Sequence, residues 1–335
     1  MQSLRRQALR SRRLGKLDVT RLTPRTALLS FGGPRLRVMG LGKGAWLVRQ
    51  RTGPRRRLKL QALDEKTWVL RRGGRRARVV EQIGPPRLRT DLVIDQRATR
   101  RRMRVHQLSM LHYLAEEHIA WMLRELEINC VLDVGANRGQ YARRLRRAGF
   151  TGRIVSFEPL ADVAEKLEKV AANDPDWHVL RYALGQTTEE AEMSVAGGQG
   201  RMSSLLPASE FGRAWSSKLA EDGSASVSIR RLDELFAEAM GGITNPRVYL
   251  KLDTQGYDLQ AFAGAGECIE EIVGMQSEVS AVPMYESMPG LTEQIATYEA
   301  AGFELTGMFP VMVDGKTLRV IEFDAVMIRV DALRK

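Results

Sequence analysis

Along the first hundred residues apolar and polar positions alternate, in Leu36–Val38, Trp46–Val48, Leu58–Leu60, Trp68–Leu70 and Ala77–Val79. A period of two belongs to β-strands, whose successive side chains point to opposite faces. Gly42-Lys43-Gly44, Gly53-Pro54, Asp64-Glu65 and Gly73-Gly74 fall between these runs at hairpin spacing. Residues 31–83 are therefore expected to form a small antiparallel meander with one arginine-studded face. The first twenty or so residues read as frayed or weakly helical. Gly84-Pro85-Pro86 closes the unit, and Arg97 to Arg104 forms a basic connector.

From Val105 to Leu126 the period lengthens, with Leu108, Leu111, Ala115, Ile119, Met122 and Leu126 at the spacing of an amphipathic helix. Next come a buried strand at Cys130–Val134, a glycine-rich turn and an arginine-rich helix ending near Gly149. A second strand, Arg153–Phe157, runs into Glu158-Pro159, and a third, Trp177–Ala183, into Leu184-Gly185. The fourth is Val248–Asp253, followed by Thr254-Gln255-Gly256 and a helix from Tyr257; Ile272–Val279 is the fifth. Phe303–Phe309 and Glu322–Ile328 supply a closing pair. Strands alternating with helices make a doubly wound α/β sheet, and ligands of such sheets lie outside the carboxyl ends of the strands. Asp133, Glu158, Asp253 and Glu278 should converge on that edge.

Charge divides the chain where the period does. Residues 1–104 hold 30 Lys/Arg against 6 Asp/Glu, a net +24, and the remainder holds 22 against 34, a net −12. The boundary is drawn there: a basic, β-rich amino-terminal domain at 1–104 and an α/β domain at 105–335. A block this basic suits an anionic partner such as RNA, an acidic carrier protein or a phosphorylated ligand, while a solvated face is the plainer alternative. No apolar run spans a bilayer and no signal core is seen, so a cytoplasmic location is expected. Two cysteines, Cys130 and Cys268, suit a reducing compartment. His106, His112 and His118 share the helix without the i, i+4 pairing of a metal site, and no metal site is expected. A homodimer is left open.

The candidate chemistry sits in Asp133-Val134-Gly135-Ala136-Asn137-Arg138-Gly139. Glycines there let a ligand approach the backbone and allow positive φ. Glu158 stands 19 residues beyond Gly139, the distance at which an acid meets the hydroxyls of a ribose. The dinucleotide fingerprint is absent, and Asp133 before the first glycine would repel a pyrophosphate. A ligand with an ammonium and a sulfonium, such as S-adenosylmethionine, would be attracted instead.

These residues resemble the FkbM-type methyltransferases, a branch of the class I S-adenosylmethionine-dependent enzymes. The resemblance is carried by Leu132 to Tyr141, Ser156-Phe157-Glu158-Pro159, Ala183-Leu184-Gly185, Ser203 to Leu206, Arg231-Leu232-Asp233 and Leu250 to Gly256, and it covers about 105–330. It implies a Rossmann-like sheet of order 3-2-1-4-5-7-6 with strand seven antiparallel. It also implies methyl transfer, usually to a hydroxyl of a sugar, polyketide or other small metabolite. By the same resemblance Asp133, Gly135, Ala136, Asn137, Gly139 and Tyr141 surround the methionine part of the cofactor. Glu158 and Pro159 match the ribose site and Ala183 the adenine edge. Gln255 and Tyr257 stand where many relatives carry an acid and a histidine, and with Ser204 they are expected on the acceptor side.

Attack on a sulfonium methyl is an in-line displacement that depends on placement, and a hydroxyl acceptor must also lose its proton. Asp253 is the first candidate for that base or for orienting the acceptor and Glu278 the second, although an acid in Asp253's place could equally only cap the next helix or bond the cofactor. Residues 197–226, rich in Gly and Ser, are long enough for an acceptor-side lid, or form a surface loop. Amino-group methylation of nucleic acid would call for Asn/Asp-Pro-Pro-aromatic after strand four, and Asp253-Thr254-Gln255-Gly256 stands there instead. Cytosine-C5 methylation needs a cysteine nucleophile, for which neither cysteine is placed. An RNA-directed methyltransferase using the basic domain for phosphate contacts and a non-catalytic cofactor-binding protein are the alternatives.

Overall fold

The computed structural model describes residues 11–14, 17–23, 26–31, 58–62, 67–72, 77–83, 90–95, 100–196, 202–220 and 223–333, with side chains from Leu111 onward. The chain divides into two compact units, Met1–Tyr113 and Leu114–Lys335. The boundary thus falls inside α1 (Arg100–Glu125), which starts five residues before the helix expected from Val105.

In the first unit β1 (Ser11–Leu14), β2 (Leu17–Thr23), β3 (Thr26–Phe31), β4 (Leu58–Ala62) and β5 (Thr67–Arg72) form an antiparallel sheet in the order β1-β2-β3-β5-β4. β6 (Ala77–Ile83) and β7 (Thr90–Asp95) form a separate hairpin. The runs at Leu58, Trp68 and Ala77 are strands as expected, while those at Leu36 and Trp46 lie outside the described residues. β1 and β2 correct the frayed or helical expectation for their stretch. Leu17, Val19 and Arg21 alternate with Asp18, Thr20 and Leu22, and β-branched Val19, Thr20 and Thr23 favour the pleat.

In the second unit β8 (Cys130–Val134), β9 (Arg153–Phe157) and β10 (Trp177–Leu180) are linked by α2 (Gln140–Ala148) and α3 (Ala161–Ala171). A small sheet follows from β11 (Ala183–Leu184), β12 (Glu189–Ser194) and β13 (Ser224–Arg230), with α4 (Glu210–Trp215) between the last two. Then come α5 (Leu232–Met240), β14 (Val248–Leu252), α6 (Asp258–Ala263), β15 (Ile272–Ser280), α7 (Leu291–Ala300), β16 (Phe303–Val313) and β17 (Val320–Arg329). The main sheet has the order β10-β9-β8-β14-β15-β17-β16, with β17 antiparallel to both neighbours and the first five strands parallel. Counted along the chain, its seven strands lie 3-2-1-4-5-7-6 with the seventh reversed, as expected.

Two corrections concern the region after β10. The third strand stops at Leu180, where Arg181 turns out to pair with Glu168, and Ala183–Leu184 leaves the main sheet to pair with Ile229–Arg230. Nor are residues 197–226 simply a loop. Ser204 bridges Ser194, Ala208 bridges Tyr285, and α4 is capped by Ser209, whose Oγ accepts from Gly212 N at 2.9 Å. Residues 197–201 and 221–222 lie outside the description.

The main sheet is buried on both faces. One face carries Cys130, Leu132, Val134, Val155, Phe157, Leu250, Leu252, Met275 and Met327 under α5, α6 and α7. The other carries Val131, Ile154, Tyr249 and Val326 under α1, α2 and α3. Among the described residues no helix is long and apolar enough to cross a membrane.

Candidate active site

The turn between β8 and α2 is shaped by close approach. Gly135 has φ 74° and an added Cβ would lie 2.0 Å from the Asp253 carbonyl oxygen, so the backbone beyond β14 touches the turn directly. Gly139, at φ 70°, backs onto the Trp177 indole, which an added Cβ would meet at 2.6 Å. Glu158, at the end of β9, braces the turn. Its Oε2 accepts from Asn137 N at 2.8 Å and its Oε1 from Leu160 N at 3.0 Å. Burial raises its carboxyl to about 7, although those two amides act in the opposite direction. Asn137, at φ 49°, is held further by Gln140, whose Nε2 donates to Asn137 Oδ1 at 3.0 Å.

Beneath the turn runs a row of polar side chains in cross-strand register: Ser156, Asp133, Lys251 and Gln276, on β9, β8, β14 and β15. Strands covered on both faces ordinarily read as unbroken apolar runs, so a polar residue at the same level on four neighbouring strands is conspicuous. The row is linked by hydrogen bonds and an ion pair. Trp177 Nε1 donates to Ser156 Oγ at 3.0 Å, and Ser156 Oγ donates to Asp133 Oδ2 at 3.4 Å. The Lys251 ammonium lies 3.1 Å from Asp133 Oδ1, and the Tyr141 hydroxyl donates to Gln276 Oε1 at 3.2 Å.

Two of the residues expected around the cofactor lie in or against this row. Asp133 was expected against the cofactor's amine, yet its side chain has no exposed surface and is neutralised by Lys251. Tyr141 is likewise buried, its ring over the Lys251 ammonium at 5.5 Å and its hydroxyl turned to Gln276. A buried carboxylate requires a partner, and the lysine two residues before Asp253 supplies it.

One level further along the strands the acids reach the rim. Asp253 is half-buried, with Oδ2 3.1 Å from Lys251 Nζ and Oδ1 3.0 Å from Gln255 Nε2. The same amide donates to Glu278 Oε2 at 3.1 Å. Burial raises the Asp253 carboxyl, but the Lys251 charge and the bonds from Gln255 and Glu278 more than reverse this, leaving it below the usual range. Glu278 moves the other way, well above its ordinary value, through burial and then the Asp253 charge. Across the antiparallel pair Glu278 faces Asp324, whose carboxyl burial raises to about 6. Glu322 is raised to about 7 by burial and by Asp253. Unequal carboxyls side by side are the arrangement in which one ionises and its neighbour retains a proton. Helix capping does not explain Asp253, because Asp258 takes the Thr254 amide, at 3.3 Å.

The expected acceptor-side residues part company. Gln255, at φ 57°, stays with Asp253, and Tyr285 Oη lies 2.9 Å from its Oε1. Ser204 is fully buried, donating to the Gln255 carbonyl at 2.7 Å and accepting from Leu206 N at 3.0 Å, so it anchors that loop instead of facing a ligand. Tyr257 lies against Gly185, beside the small sheet that also holds Ala183. Ala136 is buried at the turn and Pro159 half-buried beside Glu158. Burial pushes the Cys130 thiol up to about 12, which leaves it inert. Lys251, Gln276, Tyr285, Glu322 and Asp324 were missed from sequence, though alternation inside buried strands marked all but Tyr285.

A cationic donor fits this rim. Glu158, Asp253, Glu278, Glu322 and Asp324 gather there, and Lys251, the buried ammonium among them, is already committed to Asp133 and Asp253. The model of the methyltransferase FkbM domain matches residues 133–305, from the acid of the glycine turn into β16. The chain belongs to the FkbM methyltransferase family. It is an S-adenosylmethionine-dependent methyltransferase. No curated protein matches the chain. Among solved structures, it is similar to Aeropyrum pernix fibrillarin with natively bound S-adenosyl-L-methionine at 10% identity, 93% of this chain, 94% of that one and a TM-score of 0.36. A Thermobifida fusca putative methyltransferase matches at 11% identity, 67% and 82% coverage and 0.37. An rRNA methylase from Streptococcus thermophilus matches at 9% identity, 64% and 94% coverage and 0.35. At these values the likenesses bear on neither acceptor nor mechanism.

Proposed function

We propose that this FkbM-family methyltransferase methylates a hydroxyl of a small metabolite, sugar or natural product, with Asp253 as the base. The supporting observation is Asp253 itself: a half-buried carboxylate held ionised by Lys251, with Glu278 beside it. S-adenosylmethionine would supply an electrophilic methyl at this rim. The backbones of Gly135, Ala136, Asn137 and Gly139 hold its amino-acid part, Glu158 with Pro159 its ribose hydroxyls, and the Ala183 corner its adenine edge. Asp133 and Tyr141 act from below, by fixing Lys251.

Asp253 accepts the hydroxyl proton as the acceptor oxygen attacks, and Gln255 keeps its carboxylate oriented. A positioned base of this kind contributes roughly 10²- to 10⁴-fold. The acidity of the rim suits a neutral acceptor and disfavours a phosphate at the reacting end. The test is transfer of labelled methyl to a panel of neutral sugars, polyols and polyketides. Labelled product in the wild type, and its loss in Asp253→Asn, is the expected result; equal labelling by both proteins removes Asp253 as base.

A second reading rests on the net +24 of residues 1–104. There the acceptor is RNA, bound by phosphate contacts of the basic domain, with a hydroxyl such as a ribose 2′-OH entering the rim. It predicts labelled RNA and an affinity that falls steeply with salt, against labelled small molecules at any salt for the first reading. An acidic carrier protein as the basic domain's partner would instead leave RNA unlabelled.

A further inference from the structure

The Lys251 ammonium has more partners than an ion pair requires. Besides Asp133 Oδ1 and Asp253 Oδ2, each at 3.1 Å, it lies 3.3 Å from the carbonyl oxygens of Val134 and Gly135. Those carbonyls open the glycine turn, and Asp253 is the carboxylate beyond β14. Its three N–H donors are thus spent on both sides of the crevice and on the buried acid between them. The side chain is 6% exposed, so solvent screens this geometry little. We propose that Lys251 is a positioning residue for methyl transfer, fixing the glycine turn that carries the donor against the carboxylate that faces the methyl group. The proposal rests on the reading of Asp253 given above.

A lysine that merely filled the core would affect all ligands of the turn alike. A positioning lysine affects the charged one selectively, because the ionised Asp253 beside the methyl site attracts a sulfonium and not a neutral thioether. The contrast between S-adenosylmethionine and S-adenosylhomocysteine therefore reads the device without knowledge of the acceptor. With Lys251 removed, Asp133 and Asp253 lose their shared counter-charge, and Asp253 takes up a proton or swings away.

The experiment titrates both ligands by calorimetry into wild type, Lys251→Met, Lys251→Arg, Asp253→Asn and the Lys251→Met/Asp253→Asn pair at pH 7.5. The expected result is a preference for the sulfonium ligand in wild type that falls about tenfold in Lys251→Met and in Asp253→Asn, corresponding to ~1.4 kcal/mol. The double variant falls no further, and Lys251→Arg retains most of the preference. Should Lys251→Met fail to fold, Lys251→Met/Asp133→Asn removes the buried pair together and the same fall is expected. An unchanged preference in the folded lysine variants, with weakening equal for both ligands, overturns the proposal. A wild type that binds both ligands with equal affinity overturns the reading of Asp253 itself, a separate outcome.

Discussion

The two faces of the seven-stranded sheet are built from the same strands and do different work. Under α5, α6 and α7 the buried inward positions of β8, β9 and β14 are apolar, the buried Ser277 hydroxyl of β15 is matched by Tyr298 Oη at 2.8 Å, and Phe262 meets Tyr298 edge-on at 4.9 Å. Under α1, α2 and α3 the apolar layer of Val131, Ile154 and Tyr249 gives way, one level nearer the carboxyl ends, to Ser156, Asp133, Lys251 and Gln276. The first face is held by dispersion and water exclusion, which tolerate local repacking. The second is held by directional bonds that fail if one partner is lost. The proposed base sits at the mouth of the second face, where a paired, hydrogen-bonded setting lets a carboxylate be both desolvated and ionised.

The sharpest way to test this division is Asp253→Asn. The account expects a drop in methyl transfer of roughly 10²- to 10⁴-fold in single-turnover assays, with thermal stability little changed because Asp253 is half-buried at the rim. Phe157→Ala probes the opposite face. It should cost about 3–5 kcal/mol in urea unfolding while leaving the sulfonium preference intact, since the fully buried Phe157 side chain packs on the other face and only its backbone carbonyl, which the substitution keeps, meets the turn.

The strands of the α/β unit were legible because periodicity, the glycine turn and the spacing of acids are local features, whereas their order in the sheet came from the resemblance to the FkbM family. Chain-end strands β1 and β2 were misread, since Arg-rich alternation with few large apolar residues resembles a solvated segment. Asp133 was expected at the cofactor from its charge before the glycine turn and from the family resemblance. Its true partner lies 118 residues later, a contact that only strand order creates. The clue was nonetheless present: Leu250-Lys251-Leu252-Asp253 places a lysine in a strand that must be buried on both faces. Tyr285 left no such trace, because its approach to Gln255 depends on an irregular stretch after β15.

A gentler probe is pH. Glu158 in the fold titrates near 7, and an unfolded glutamate near 4.3, so the free protein carries the extra proton between these values and loses stability as pH rises through them. A cationic donor favours the carboxylate form. Its affinity should therefore rise with pH up to about 7, by no more than tenfold per unit, and level off above. Glu158→Gln should flatten that slope in calorimetric titrations. The smallest effect is expected from Tyr141→Phe, which removes the bond to Gln276 and should cost about 1–3 kcal/mol of stability, the Gln276 oxygen being left buried. Thermal unfolding measures it.

A crystal structure with S-adenosylhomocysteine bound bears most directly on the central claim, that the donor lies on the polar face with its sulfur toward Asp253. The account predicts the ribose hydroxyls on Glu158, the sulfur between the Gly135–Gly139 turn and the Asp253 carboxylate, and Lys251 still joining Asp133 to Asp253. A ligand seated elsewhere, or a sulfur remote from Asp253 with that carboxylate turned from the crevice, would contradict it.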